Sequence, residues 1–180
     1  SGAERRLRGW RHVTDGDAPC PNATGARRLK TALARSSKRW VAPGRARAAA
    51  QNMVPTSTGA AKAVGEVISA VKGNFDGIAI RVPTITVSMS DITVVLKKNV
   101  NKEELNKAFT EASKTGRFDG VLAVTNEPLV SSDFIGNTNS SIVDLALTNV
   151  VGGNLVKVVA WYDNEYGYAH RLVEMVELYA

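Results

Sequence analysis

Gln51-Asn52-Met53-Val54-Pro55-Thr56-Ser57-Thr58-Gly59-Ala60-Ala61-Lys62-Ala63 is the stretch on which the reading of this chain turns. A short apolar run meets a proline, then three hydroxyl residues and a glycine, then an alanine-rich segment of helical character. Helix starts leave backbone N–H groups unpaired and carry partial positive charge, so small hydroxyl residues there suit an oxyanion. Ser and Thr also lead the ordinary preference for helix caps. A plain cap and a phosphate cradle are both consistent with the local pattern. Ala60, Val64, Val67, Ile68 and Val71 then recur at helical spacing up to Gly73, which supplies a stop. That spacing predicts a helix of about three turns, able to hold its start rigidly.

Outward from this stretch the chain divides by charge. Residues 1–50 hold twelve Lys and Arg against three acids, whereas residues 51–180 hold eleven against fourteen. The net charge of +6 therefore belongs to one short segment, which is also the segment with least hydrophobic pattern. Three readings of it compete. Clustered arginines attract phosphate backbones, but Trp10 and Trp40 are too isolated to form a stacking platform, which argues against a nucleic-acid partner. High charge and low hydrophobicity fit a solvated extension. A segment foreign to the following domain, by fusion, truncation or a shifted reading frame, fits the Arg, Ala, Gly and Pro bias.

One hundred and eighty residues at 44% hydrophobic suffice for a core, and no apolar run reaches the roughly 20 residues of a membrane helix. Cys20 is the single cysteine, and His12 and His170 lie far apart in sequence, so neither a disulfide nor a zinc site is expected. With no export signal visible, a cytoplasmic protein is the expectation.

Gly77 to Thr84 reads as a strand, with Ile78, Ile80 and Val82 on one side and Ala79 and Arg81 on the other. Arg81 is either a surface residue with a packed stem or a guanidinium aimed at a phosphate. Residues 85–98 alternate, but the phase switches after Asp91, which predicts a bulge or bend near Ser90-Asp91. Asn101 and Glu104 form a capping box for a helix with a stripe of Leu105, Ala108, Phe109 and Ala112, ended by Gly116. A strand follows at Val121 to Thr125. Ile142 to Val151 and Leu155 to Tyr162 read as a hairpin about Gly152-Gly153-Asn154. Asp163-Asn164-Glu165 breaks the last strand and opens a C-terminal helix within residues 164–180. The mixture predicts an α+β fold, a mixed or antiparallel sheet with helices on one face.

Four motifs carry a family resemblance. Arg45-Ala46-Arg47-Ala48-Ala49-Ala50 running into the opening stretch, Arg81-Val82-Pro83-Thr84, Ser131-Ser132-Asp133-Phe134, and Trp161-Tyr162-Asp163-Asn164-Glu165-Tyr166-Gly167-Tyr168 occur in order and at fitting spacing. Together, residues 45–180 resemble the C-terminal catalytic domain of glyceraldehyde-3-phosphate dehydrogenase, and residues 1–44 do not match that family. The resemblance implies an enzyme that oxidises an aldehyde with NAD, captures inorganic phosphate to give an acyl phosphate, and works as a homotetramer. It implies that Thr58 and Gly59 hold the attacking phosphate and that Arg81 contacts the phosphate of the substrate. It further implies that Asn164 orients the nicotinamide carboxamide of NAD and that Tyr168 packs near its ring.

The chain lacks the family's Gly-x-Gly-x-x-Gly turn of the dinucleotide-binding Rossmann domain, its Ser-Cys-Thr-Thr-Asn nucleophile motif and its His-Ala-Tyr-Thr base segment. Cys20 sits between Pro19 and Pro21, without the helix N-terminus or neighbouring cation that makes a reactive thiolate. No catalytic residue is therefore assigned, and no turnover is expected from this chain alone. A noncatalytic assembly or binding module and the erythrose-4-phosphate branch of the same family are the alternatives. The stripe of Leu172, Val173 and Val176 on the last helix is expected to be exposed or to find a partner.

Overall fold

A computed structural model of the chain describes residues 50–180. Cys20, His12 and the basic segment before residue 50 lie outside the described residues. The chain divides into two compact units at the Pro83/Thr84 boundary.

In the first unit, β1 (Val54–Ser57) pairs antiparallel with β2 (Ile78–Arg81) in the register Val54↔Arg81 to Ser57↔Ile78. Between them runs α1 (Ala60–Val67), which is shorter than its apolar spacing predicted. Ile68 leaves helical space at φ −114°, ψ 87°, and a 3-10 turn at Ser69–Val71 follows. Val67, Ile68 and Ser69 are poor helix formers in succession, and with no packing to compensate, the helix stops there. Gly73 sits at φ +80°, the conformation a turn-forming glycine adopts without a Cβ penalty. Val54 and Ala61 are buried, whereas Ile78, Ile80 and Val82 are exposed. The apolar alternation of β2 thus marks an uncovered face, and its other face is shared with buried Val54.

In the second unit, β3 (Ser88–Val95), α2 (Lys102–Ala112), β4 (Leu122–Thr125), β5 (Ser141–Val151), β6 (Leu155–Tyr162) and α3 (Tyr166–Tyr179) follow in order. The sheet order is β3-β6-β5-β4, antiparallel except for the parallel β4–β5 pair. With β1–β2 this makes an α+β arrangement with mixed and antiparallel sheets, and no Rossmann fold among the described residues. No helix there is long and apolar enough to cross a membrane.

Alternation along β6 divides the core. Val156, Val158 and Ala160 join Val143 and Leu145 on the face covered by α2, where Leu105 and Phe109 pack. Val87, Phe134 and Ile142 form a second cluster with Trp161, which stacks on Phe134 at 5.2 Å. The capping box on α2 forms: Asn101 Oδ1 accepts from Glu104 N at 2.8 Å, and Asn101 N donates to Glu104 Oε2 at 3.0 Å. Gly152 and Gly153, both at positive φ, turn the β5–β6 hairpin.

The bulge expected near Ser90-Asp91 is absent. β3 pairs continuously with β6 from Ser88↔Tyr162 to Val95↔Leu155. The backbone irregularity on this side lies one residue before the strand, at Val87, whose φ is 73°. Val87 is buried in the cluster of Ile142 and Trp161, the residues in register with Met89, while Met89 and Ile85 are exposed. The register shift lies instead in β5, between Asp144 and Asn149. There the carbonyls of Leu145 and Ala146 accept from Asn106 Nδ2 at 3.0 Å and Lys102 Nζ at 2.8 Å. Side chains of α2 thereby supply donors that a regular ladder would otherwise provide.

Candidate functional site

The opening stretch folds as strand, turn and helix start. Thr58 Oγ1 accepts from Ala60 N at 3.1 Å, and Gly59 occupies the cap position of α1 with no side-chain bond of its own. The threonine hydroxyl therefore serves as a local cap. The N–H groups of Ala61 and Lys62 belong to the set that a helix start leaves without intrahelical partners. These donors, with the small Gly59, are what an anion would meet.

Arg81 is exposed and stands across from Val54, at the end of the ladder away from Thr58. Directly opposed residues of an antiparallel pair share a face, so Arg81 lies on the face of Val54 and Thr56. Thr58 follows Ser57, the last paired residue of β1. Four residues of extended chain between the level of Arg81 and Thr58 span about 13 Å. One end of the ladder thus leads into a helix start, and the other carries a guanidinium.

In the second unit, Asn164 and Tyr168 flank the start of α3, and both are exposed. Asn164 Oδ1 accepts from Ser88 Oγ at 3.4 Å and Thr86 Oγ1 at 3.5 Å, and its NH2 is not used in these bonds. Beneath it, buried Asp163 fixes the geometry. Asp163 Oδ1 accepts from Glu165 N and Tyr166 N, each at 2.9 Å, and Oδ2 accepts from Gly136 N at 2.9 Å. The Tyr166 and Gly136 N–H groups hold its carboxyl below the usual carboxylate range, against the opposing effect of burial. Gly167 lets α3 approach the preceding loop: a Cβ there would stand 3.2 Å from Asn139 O.

Sequence reasoning did not single out Asp163, Thr86 or Ser88. An aspartate opening a helix was a visible signal for the first. The hydroxyls carried none, because Ser88 and Thr86 lie 76 and 78 residues from Asn164. His170 sits on α3 beside Glu174 at 3.2 Å, in a group with Arg171. Among the described residues, no cluster of three or more His, Cys, Asp or Glu could hold a metal ion.

A family model described as glyceraldehyde 3-phosphate dehydrogenase, C-terminal domain, matches residues 27–164. The chain belongs to this family. The match begins upstream of residue 45, within the basic segment, and includes Thr58, Gly59, Arg81 and Asn164 but not Tyr168. Glyceraldehyde-3-phosphate dehydrogenase 2 of Trichormus variabilis is 51% identical over 157 residues, 87% of this chain and 44% of the relative. The A-type chloroplastic glyceraldehyde-3-phosphate dehydrogenase of Chlamydomonas reinhardtii is 50% identical over 157 residues, 87% of this chain and 40% of its own length. The enzyme of Priestia megaterium is 51% identical over 136 residues, 76% of this chain and 40% of the relative. The chain therefore spans about two fifths of the length of these curated relatives.

Proposed function

We propose that this chain supplies the phosphate-handling and nicotinamide-facing portion of an NAD-dependent phosphorylating glyceraldehyde-3-phosphate dehydrogenase. That enzyme converts glyceraldehyde 3-phosphate, inorganic phosphate and NAD to 1,3-bisphosphoglycerate and NADH. The observation that carries the reading is the β1–β2 ladder, with Thr58 and Gly59 following one end and Arg81 at the other. About 13 Å of strand, shortened by the reach of an arginine side chain, suits two phosphates better than one held by both groups. Thr58 and Gly59 would take the attacking inorganic phosphate on the start of α1, and Arg81 the phosphate of the aldehyde. Holding both in place lowers the entropic part of the barrier to acyl transfer.

The residues of the second unit fit a nicotinamide. The Asn164 NH2 can donate to a carboxamide oxygen, and Tyr168, in the first turn of α3, offers an exposed ring. When bound, NAD supplies the hydride acceptor. A thiol nucleophile and a base are absent from the motifs of this chain, so turnover requires them from elsewhere, in a homo-oligomer of complete subunits or a longer product.

The test is titration of isotopically labelled chain with inorganic phosphate, followed by NMR, beside an assay of NAD reduction with glyceraldehyde 3-phosphate. Saturable shifts at Ala60, Ala61 and Lys62, with no turnover, are expected. Shifts spread evenly over the basic residues, without saturation at α1, would remove the phosphate assignment. A noncatalytic assembly module is the second reading, favoured by exposed Leu172, Val173 and Val176 on α3. Light scattering with and without a complete family enzyme separates the two.

A further inference from the structure

The geometry points to Thr86 and Ser88 as positioning residues that orient the Asn164 amide, so that this end of the domain offers a hydrogen-bond donor pair to a carbonyl-type ligand oxygen. The β3–β6 register places Ser88 beside Tyr162, and the chain leaving β6 carries Asn164 back over the start of β3. Both hydroxyls then converge on one atom, Asn164 Oδ1, at 3.4 Å and 3.5 Å. With its oxygen engaged by the hydroxyls, the amide keeps its two N–H donors for a ligand acceptor.

The segment carrying the hydroxyls is anchored in an unusual way. Val87, between them, is β-branched and at φ 73°, a conformation that persists only where its surroundings over-determine it. Its side chain is buried with Phe134 and Ile142, which supplies that constraint, while Ile85 two residues earlier is 99% exposed. A strained, buried residue is thus flanked by the two hydroxyls that meet Asn164. On the other side, Asp163 holds the backbone after β6 through Gly136, Glu165 and Tyr166. Asn164 therefore sits between Asp163, which accepts from the two N–H groups that follow it, and two hydroxyls from another part of the sheet that meet its side-chain oxygen. The inference rests on the nicotinamide reading only for the identity of the ligand.

The test has two arms on the labelled full chain. First, couplings about χ1 and side-chain relaxation of the Asn164 amide are measured in the natural sequence, in the Thr86→Val/Ser88→Ala double variant, and in Thr86→Ser. A single ordered rotamer that becomes averaged in the double variant and is restored with serine is expected; the Asn101–Glu104 capping box serves as the fold control. Averaging already present in the natural sequence overturns the inference, whether or not the variants fold. So does unchanged order in the double variant, or close contacts from the Asn164 NH2 protons to the Thr86 and Ser88 side chains. Second, nicotinamide mononucleotide is titrated, and its affinity is expected to fall roughly 3- to 10-fold in the double variant and recover in Thr86→Ser, the scale of one neutral hydrogen bond. Ordering as expected with no mononucleotide binding in any form upholds the positioning role and removes the nicotinamide reading instead.

Discussion

Asp163 accepts the Gly136 N–H at 2.9 Å across 27 residues of sequence, while its second oxygen caps the start of α3. One buried carboxylate thereby ties a loop to the exit of β6 and sets where Asn164 and Tyr168 stand. Because the N–H donors favour the ionised form, the folded-state value lies below the ordinary one.

Asp163→Asn is expected to destabilise the fold by about 1–3 kcal/mol at neutral pH, the scale of hydrogen bonds to a charged group. The stabilising contribution of a depressed carboxylate is fully present above its unfolded value, about 3.9, and is lost as pH falls through the folded value. Urea denaturation followed by circular dichroism across that window should show natural chain and variant converging in acid. A constant difference down to the lowest pH would contradict the assignment.

Gly167→Ala sets helix propensity against a close contact. Alanine would be favoured by about 1 kcal/mol within a helix, but its Cβ would meet the Asn139 carbonyl at 3.2 Å, a backbone atom that cannot swing aside. Overpacking of this kind costs about 1–3 kcal/mol, so a net loss of stability is expected. Gly116→Ala, with nothing within 4 Å of the added methyl, is the control and should change stability little.

Asn101→Ala removes one half of the α2 capping box and should cost about 1 kcal/mol, with Asn101→Asp retaining most of it. Since α2 covers the face of Val143, Val156 and Val158, the loss should appear in global unfolding, not only in fraying of the helix end. Hydrogen exchange of the β6 amides reports which occurs.

Arg81→Met should leave stability within about 0.5 kcal/mol, because the residue is exposed on its strand. Its effect is expected on binding of a phosphorylated aldehyde, weakened at least tenfold, with inorganic phosphate binding at Ala60 and Ala61 less affected. Equal weakening of both ligands would mean that a single anion bridges the ladder.

Secondary structure was legible wherever local chemistry is strong. The capping box at Asn101 and Glu104, the Gly152-Gly153 turn and the alternation of Val156, Val158 and Ala160 all have causes within a few residues. The helix over Ala60–Val67 was overextended, since apolar spacing alone cannot show that no surface receives Val67 and Ile68. The irregularity sought in β3 lies in β5, because a bulge is set by which strand has extra residues against its partner.

The chain's own residues determined the family motifs, the charge division and the local start of each helix, because these depend on side-chain type and short spacing. Tertiary structure alone decided that Arg81 stands opposite Val54, at the far end of the ladder from Thr58. It alone brought Thr86 and Ser88 onto Asn164. Strand register joins residues distant in sequence through packing and hydrogen bonds summed over the whole sheet, and no local period encodes that sum.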